Sequence, residues 1–274
     1  MSGLDDDQMK ELAEFALLLA REAGDVIVPS FRTPLHARNK SAPGQDYDPV
    51  TGADLAAEAR IRDLIGERFP DHGISGEEMA EKPAKGPFQW VVDPIDGTRS
   101  FVYGLPHWMT LVALLHEGRP IIGVARQPLV GESFLGMPAG AWLVTGNGRM
   151  PLRTRGGHDL SSAMAGTTLP EIYQSAGQRA VLSAMGKKTM QLRFDADAYF
   201  YALLAAGQID LVFDTGMEPY DIAALIPIVR GAGGIITDWS GRPDPMGGDI
   251  LAAATPELHA QALSVMGAAL DRAE

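Results

Sequence analysis

The sequence contains no cysteine among its 274 residues. This absence excludes disulfide bonds, zinc sites built on thiolates and catalysis by a thiol nucleophile. No apolar run is long enough to span a bilayer. Residues 1–7 are acidic, whereas a secretory signal would begin basic and continue apolar. We therefore expect a cytoplasmic protein that does not bind a membrane.

Positive charge is also scarce, because 23 Lys and Arg residues face 35 Asp and Glu residues and give a net charge of −12. Proteins that hold nucleic acid by general electrostatics need clustered Lys and Arg, so we expect no nucleic-acid partner. A small phosphorylated metabolite stays compatible with this charge, since bound metal ions can reverse its local sign. The 46% hydrophobic content is sufficient for a full core.

One stretch changes character abruptly after an apolar, β-prone start at residues 90–92. Asp93 and Asp96 follow three residues apart, and Gly97 and Thr98 come directly after them. Ligands gather at the carboxyl ends of strands in α/β proteins, where a following helix offers free N–H groups. The stretch therefore suits a hard cation and a phosphate group. An ordinary turn is the alternative, because Asp, Pro and Gly are favoured in turns for local reasons.

Three further acidic features lie elsewhere in the chain. Thr51 and Asp54 have the spacing of a capping box, and a pure capping role is the simpler interpretation. Glu77 follows a short strand and is preferred to Glu78 as a site residue, because adjacent strand residues point to opposite faces. Taken alone, such a Glu pair is usually a surface feature. Asp221 stands at a helix start, where an N-cap would explain it.

These acidic residues have one economical joint explanation. Glu77, Asp93, Asp96 and Asp221 all follow strands or begin helices. With a main-chain carbonyl they form an all-oxygen ligand set of the kind that Mg²⁺ accepts. Among the side chains of the sequence, no histidine cluster or cysteine competes for a softer metal.

The surrounding pattern predicts a mixed α/β protein. Hairpin turns are expected at residues 117–118 and 147–148, within a run of antiparallel strands. From about residue 156 strands and helices alternate, one helix being expected over residues 220–230, which is typical of a sheet covered by helices. We expect an N-terminal α+β half, residues 1–155, with most metal ligands. A C-terminal α/β half, residues 156–274, would complete the site and the substrate pocket.

On these motifs the chain resembles the inositol monophosphatase superfamily over nearly its whole length. The family pattern Asp-Pro-(Ile/Leu)-Asp-Gly-(Thr/Ser) is matched by residues 93–98, and Gly-Glu-Glu by residues 76–78. The pattern Asp-x-Val-Thr-x-x-Asp is matched by residues 48–54. Residues 220–223 match the distal Trp-Asp-x-Ala, with Tyr220 in place of Trp. That substitution bears on substrate packing more than on metal binding.

The resemblance implies a layered α/β/α/β sandwich of the inositol monophosphatase and fructose-1,6-bisphosphatase type. It also implies a phosphomonoesterase that uses two or three Mg²⁺ ions and a metal-activated water. The metal ligands that it implies are Glu77, Asp93, the carbonyl of Ile95, Asp96 and Asp221. The catalytic residues are Glu77, Thr98, Asp48 and Thr51, where Asp48 is an outer ligand of a further, weaker metal. The substrate-binding residues are Gly97, Thr98, Arg193, Asp197 and Asp214.

The distal half looks more like the histidinol-phosphate phosphatase branch than the inositol branch. An acidic pocket using Asp197 and Asp214 would favour a cationic amino-alcohol leaving group. We therefore expect histidinol phosphate, an intermediate of histidine biosynthesis, as the first candidate substrate and inositol 1-phosphate as the second. Adenosine 3',5'-bisphosphate and fructose 1,6-bisphosphate are further alternatives, and a non-catalytic binding protein with the same fold is an alternative of another class. The resemblance also implies a homodimer.

Overall fold

The structure is a computed structural model that describes residues 4–34, 38–39 and 49–273. Asp48, which the resemblance makes an outer metal ligand, lies outside these residues. None of the described helices combines the length and the apolar character needed to cross a membrane.

Helices flank the sheets and also lie between them. The described residues include two short 3₁₀ helices, at Val28–Ser30 and Pro170–Ile172. The α-helices are α1 (Asp6–Ile27), α2 (Gly52–Arg68), α3 (Thr98–Tyr103), α4 (Ala176–Lys188), α5 (Asp197–Ala205), α6 (Pro219–Ile222), α7 (Leu225–Gly231) and α8 (Pro256–Leu270).

The strands form two main sheets and one small β1–β2 pair. They are β1 (Arg38–Asn39), β2 (Pro49–Val50), β3 (Gly73–Gly76), β4 (Phe88–Asp96), β5 (Met109–His116), β6 (Arg119–Gln127), β7 (Glu132–Met137), β8 (Gly140–Thr145), β9 (Gly148–Pro151), β10 (Met164–Gly166), β11 (Gln191–Arg193), β12 (Leu211–Met217), β13 (Ile235–Asp238) and β14 (Gly248–Ala253).

The larger sheet runs from β3 to β9 in sequence order, and its pairs are antiparallel except for the parallel β3–β4 pair. The smaller sheet has the order β11-β10-β12-β14-β13. In it β10 pairs in parallel with β11 and β12, whereas β14 is antiparallel to both of its neighbours. The expected hairpin turns are confirmed between β5 and β6 and between β8 and β9.

The sheets and helices stack in layers. Helices α1 and α2 pack on one face of the larger sheet, and α5 and α7 lie between the two sheets. Helices α4 and α8 pack on each other and cover the outer face of the smaller sheet. The expected layered α/β sandwich of the inositol monophosphatase type is confirmed, and the α4–α8 pair adds an outer helical layer. The strands of the larger sheet all precede residue 155, and those of the smaller sheet all follow residue 156. The division into two halves nevertheless stays a prediction, because α5 and α7 contact both sheets.

The alternation of side chains along β4 explains where its acidic end points. Trp90 and Val92 are buried against α1 and α2, while Val91 is buried in the middle layer between the sheets. Because side chains alternate along a strand, Asp93 follows Val91 onto the middle-layer face. That face is the one on which α6 packs against β4.

Three sequence expectations differ from the structure. The single helix expected over residues 220–230 is wrong, because the chain forms α6 and α7 with a turn between them. Pro227 has no N–H to donate to the carbonyl of Ala223, so the helical ladder is interrupted there. The sequence analysis also missed α4, whose buried positions are only Val181 and Met185, and the three-residue strand β10.

Glycines let the middle layer approach the larger sheet closely. A Cβ atom at Gly123 in β6 would lie 1.9 Å from the carbonyl oxygen of Ala224. A Cβ atom at Gly136 in β7 would lie 2.2 Å from the amide nitrogen of Ile228. Both neighbours are main-chain atoms that cannot rotate away, so these glycines fix the height of α7, and of the preceding α6, above the sheet.

We predict that Gly123→Ala lowers the free energy of unfolding by about 3 kcal/mol, because the added methyl group forces the α6–α7 backbone off the sheet. Gly66→Ala is the matched control. Gly66 is exposed in α2 with no atom within 4 Å of a Cβ built there. We expect this control to stabilise the protein by about 0.5–1 kcal/mol through helix propensity. Urea unfolding measures both changes, and equal midpoints for the two variants would contradict the close-approach explanation.

Candidate metal centre

A bulge at the end of β4 brings two carboxylates to one side. Asp93 pairs with Leu111 and Asp96 pairs with Met109 in β5, so three steps along β4 match two steps along its partner. Residues three apart in a regular strand point to opposite faces. The extra residue reverses this and lets Asp93 and Asp96 face the same volume. The amide of Ile95 donates to Oδ1 of Asp93 at 3.0 Å and holds the bulge in shape.

Asp221 reaches the same volume from α6. Ligand oxygens of Asp93, Asp96 and Asp221 all lie within 4.8 Å of one another. Asp221 also belongs to a capping box, since its Oδ2 accepts from the amide of Glu218 at 2.8 Å. The capping interpretation and the cluster are thus both realised, because one oxygen serves the helix start while the carboxylate stays beside β4.

Glu77 joins this group through the parallel β3–β4 pair. Gly76 pairs with Val92, so Glu77 leaves β3 beside Asp93, and its amide donates to the carbonyl of Val92 at 3.3 Å. The Glu77 side chain hydrogen-bonds to Asp93 and its charge raises the pKa of that carboxyl. The next residue, Glu78, has its amide bonded to the buried Glu58 carboxylate at 2.9 Å. The structure therefore brings Glu77 to Asp93.

The electrostatics of the group favour a cation. Burial raises the pKa of Asp93 well above its usual range, and the charges of Glu77, Asp96 and Asp221 raise it further. Burial also raises the pKa of Asp96, with the charges of Asp197 and Asp221 adding to it. Burial raises the pKa of Asp221 to about 7, although the Glu218 amide opposes the shift. Crowded, buried carboxylate oxygens of this kind match the hard oxygen donors that Mg²⁺ takes.

A cavity of about 210 Å³ lies beside the cluster. Its wall includes Asp96, Gly97, Thr98, Asp197 and Asp221. Gly97 has a positive φ of 82°, and a Cβ atom there would lie 2.7 Å from Oδ2 of Asp197, so glycine fits this turn into α3. The Thr98 hydroxyl donates to the carbonyl of Ile95 at 2.9 Å. That carbonyl is the predicted main-chain ligand, and it has a second lone pair to offer.

Thr51 is placed as a helix cap. Its hydroxyl and amide both donate to Oδ2 of Asp54, at 2.5 and 2.9 Å, and its hydroxyl accepts from the amide of Ala53 at 3.2 Å. Thr51 is buried and does not line the cavity, so its catalytic role stays a prediction. Among the described residues, Oδ1 of Asp54 has no hydrogen-bond partner, and burial raises the pKa of Asp54 to about 6.

The structure separates the predicted substrate residues. Asp197 lines the cavity, and burial together with the charge of Asp214 raises its pKa to about 7. Asp214 itself is only 1% exposed and does not line the cavity. Its oxygens accept hydrogen bonds from Thr167, Thr168 and Tyr201. Arg193 is exposed on the edge strand β11, away from the cavity wall.

Asp195 lines the same cavity but was not among the site residues predicted from the sequence. Asp195 and Asp197 have positive φ values of 74° and 41°. Asp tolerates this left-handed backbone better than most residues, so the Asp-Ala-Asp spacing was a usable signal. The Ser100 side chain lies between the two carboxylates, and its hydroxyl oxygen is 3.4 Å from one oxygen of each.

We predict that Mg²⁺ raises the melting temperature more at about pH 8 than at about pH 5.5. A carboxyl whose pKa is raised in the folded protein stabilises the fold at pH values below its unfolded-state pKa. This stabilisation is lost as the pH rises through its folded-state pKa. For Asp221 and Asp197 this window runs from the ordinary 3.8 to about 7. Above it Asp221 and Asp197 are ionised beside Asp93 and Asp96, so a bound cation has more negative charge to neutralise than at pH 5.5.

Differential scanning fluorimetry of the parent and of Asp93→Asn tests this. We expect Asp93→Asn to melt higher than the parent without metal and to show less than half of the parent's Mg²⁺ shift. Asp71→Asn is the matched control, because Asp71 is exposed and pairs with Lys85 at 3.3 Å. A shift that is independent of pH and unchanged in Asp93→Asn would contradict cation binding at the cluster.

Comparison with known proteins agrees with this geometry. The model of the inositol monophosphatase family matches residues 8–269. The chain is 38% identical to the bifunctional phosphatase IMPL2, chloroplastic, of Arabidopsis thaliana, covering 88% of this chain and 68% of that protein. It is 33% identical to a histidinol-phosphatase of Chlorobaculum parvum, covering 93% and 96%. A Nus factor SuhB of Pasteurella multocida is also 33% identical, with the same coverage.

The solved structure of an inositol monophosphatase from Zymomonas mobilis superposes with a TM-score of 0.82 at 36% identity, covering 94% of this chain and 98% of that one. The match of the family model spans nearly all of the described fold, and the acidic cluster lies inside it. The chain therefore belongs to the inositol monophosphatase family, a family of metal-dependent phosphatases.

Proposed function

We propose that this protein is a Mg²⁺-dependent histidinol-phosphate phosphatase. The observation that carries the proposal is the cluster of the buried Asp93 and Asp96 with the half-buried Asp221, at the edge of a cavity whose wall bears further carboxylates. The cluster suits a divalent cation and the cavity suits a small ester. A cationic leaving group fits an acidic cavity better than a neutral one does.

The metal would be held by Glu77, Asp93, Asp96, Asp221 and the carbonyl of Ile95, with two or three ions in the working enzyme. When bound, Mg²⁺ supplies positive charge to the phosphoryl oxygens and lowers the pKa of the attacking water. The proposed ligands come from three structural devices: Glu77 follows a strand end, Asp93, Ile95 and Asp96 lie in the bulge of β4, and Asp221 belongs to a capping box.

The chain's own groups would then orient the reactants. Gly97 and Thr98 line the cavity, and their main-chain N–H groups are the proposed donors to the phosphate. The Glu77 carboxylate is the proposed acceptor of the proton from the attacking water, with the Thr98 hydroxyl orienting that water. Asp197 lies on the cavity wall and is the proposed contact of a cationic leaving group. Asp214 would act on the leaving group only through its negative charge, because the carboxylate oxygens of Asp214 already accept hydrogen bonds within the protein.

One of the similar proteins supports the substrate choice, because it is named a histidinol-phosphatase. The relative named a bifunctional phosphatase supports the phosphatase class but does not distinguish between the substrates. Inositol 1-phosphate is the second candidate, because the solved structure at 36% identity is an inositol monophosphatase. A non-catalytic binding protein is the candidate of another class, because one similar protein is named a Nus factor, SuhB. A homodimer, residence in the cytoplasm and a place in histidine biosynthesis remain predictions of the same proposal.

We predict that a substrate panel places histidinol phosphate first. With Mg²⁺, we expect its kcat/KM to exceed that of inositol 1-phosphate by about tenfold or more, and those of adenosine 3',5'-bisphosphate and fructose 1,6-bisphosphate by still more. A chelator should abolish all turnover. Asp93→Asn should abolish it too, whereas the exposed Asp71→Asn should match the parent. The measurement is released phosphate against substrate concentration.

Each outcome of the panel decides one point. A clear preference for inositol 1-phosphate would reverse the order of the two substrates. Hydrolysis by Asp93→Asn at the parent's rate would contradict the metal-site assignment. Absence of Mg²⁺-dependent turnover with every ester would contradict a catalytic role and favour the binding protein.

A further inference from the structure

A second cavity opens beside the first. It has a volume of about 480 Å³ and shares Arg99, Leu169, Ile172 and Asp195 with the cavity at the metal cluster. Tyr103 and Glu171 belong to its wall but not to that of the first cavity. An ester whose phosphoryl group sits beside the acidic cluster can therefore extend its leaving group across the shared wall into this second space.

Within the described part of the chain, the wall of the second cavity carries two carboxylates, Asp195 and Glu171, and one basic residue, Arg99. Within the described part of the chain, neither Asp195 nor Glu171 forms an ion pair with a Lys or Arg. The Ser100 hydroxyl is 3.4 Å from Asp195, too far for a strong hydrogen bond. Arg99 is the basic residue of the wall and lies on the side shared with the first cavity. Asp195 lies on that shared side too, so Glu171 is the charged residue of the part of the wall farther from the metal cluster.

The backbone holds Asp195 firmly in an unusual conformation. Its φ is 74°, its amide donates to the carbonyl of Thr168 at 2.7 Å, and its carbonyl accepts from Nδ1 of His107 at 2.8 Å. A left-handed residue other than glycine costs conformational free energy and is most often retained where it positions a functional group. The Asp195 carboxylate is thus presented by a fixed loop between the two cavities.

Tyr103 adds an aromatic surface to the same cavity. It is the last residue of α3 and is 81% exposed, which is high for so large a ring. An aromatic face attracts planar cations through its quadrupole and through stacking. A neutral polyol would gain hydrogen bonds in this cavity but no charge attraction. An imidazolium or an ammonium group would gain both.

Resting on the proposed phosphatase function, we propose that Asp195 and Glu171, together with the ring of Tyr103, select the leaving group. They favour phosphate esters of amino alcohols that carry a planar, cationic ring over esters of neutral polyols. Asp195 acts at the boundary between the cavities and Glu171 acts at the outer wall. These residues determine specificity and take no part in the attack on phosphorus.

The test compares kcat/KM for histidinol phosphate, its N-acetyl derivative and inositol 1-phosphate in the full-length, Mg²⁺-loaded protein. Asp195→Asn should lower the ratio of histidinol phosphate to inositol 1-phosphate about tenfold, because a charge-assisted hydrogen bond becomes a neutral one. Glu171→Gln should lower it up to about fivefold, since Glu171 is exposed and its charge is screened. The change should lie in KM, and added salt should reduce the parent's ratio but not that of the double variant.

Control variants keep the result interpretable. Asn tolerates the left-handed backbone at position 195, so Asp195→Asn tests charge without added strain. Glu257→Gln makes the same change of net charge on an exposed first turn of α8, outside both cavities, and should leave every ratio unchanged. Tyr103→Ala should also lower the ratio of histidinol phosphate to inositol 1-phosphate. Tyr103→Phe should keep the parent's ratio, because the proposed contact with the leaving group is made by the ring and not by the hydroxyl.

The outcomes separate this proposal from the phosphatase proposal. Turnover of the esters with ratios unchanged in Asp195→Asn and Glu171→Gln would overturn leaving-group selection and leave the phosphatase intact. Falling ratios would support selection even if the parent preferred inositol 1-phosphate, which would overturn only the choice of histidinol phosphate. No Mg²⁺-dependent turnover in the parent would overturn both.

Discussion

Mutual repulsion among buried carboxylates is the constraint on which this structure depends. Oxygens of Asp93, Asp96 and Asp221 lie within 4.8 Å of one another, and Asp93 and Asp96 are almost fully buried. Each ionised pair repels by about 3 kcal/mol at an effective dielectric constant of about 20. Three such pairs approach the whole stability of a typical domain, about 5–15 kcal/mol. Without a cation the cluster must hold protons, as its raised pKa values indicate.

The fold counters this repulsion with main-chain devices. A bulge in β4 turns Asp93 and Asp96 to one side, and a capping box holds Asp221 at the start of α6. The contact of α7 with Gly123 fixes the distance between those two elements. The cluster is therefore assembled by strand register, helix capping and close packing. The resulting site places acidic oxygens beside a cavity, and a second cavity shares part of the wall of the first.

Local features of the site could be predicted from sequence, but its three-dimensional details could not. The strand–turn–helix at residues 90–101, the hairpins and the choice of Glu77 all followed from local patterns, and the layered fold followed from the family resemblance. The bulge could not be predicted, because it exists only in the pairing of β4 with β5. Asp214 shows the same limit: its type and place suggested a pocket residue, yet three hydrogen bonds from distant parts of the chain hold it behind the wall. Glu171 on the outer wall of the second cavity belongs to no sequence motif, because its place in that cavity is set only by the folded chain.

The central claim is that separate acidic corners of the chain meet to hold a divalent ion. Anomalous diffraction from crystals soaked in Mn²⁺, an oxygen-seeking substitute for Mg²⁺, tests it directly. The claim predicts an anomalous peak within about 2.5 Å of carboxylate oxygens of Asp93, Asp96 and Asp221. A Mn²⁺ peak elsewhere with none at these residues, or their side chains turned away from one another, would contradict it.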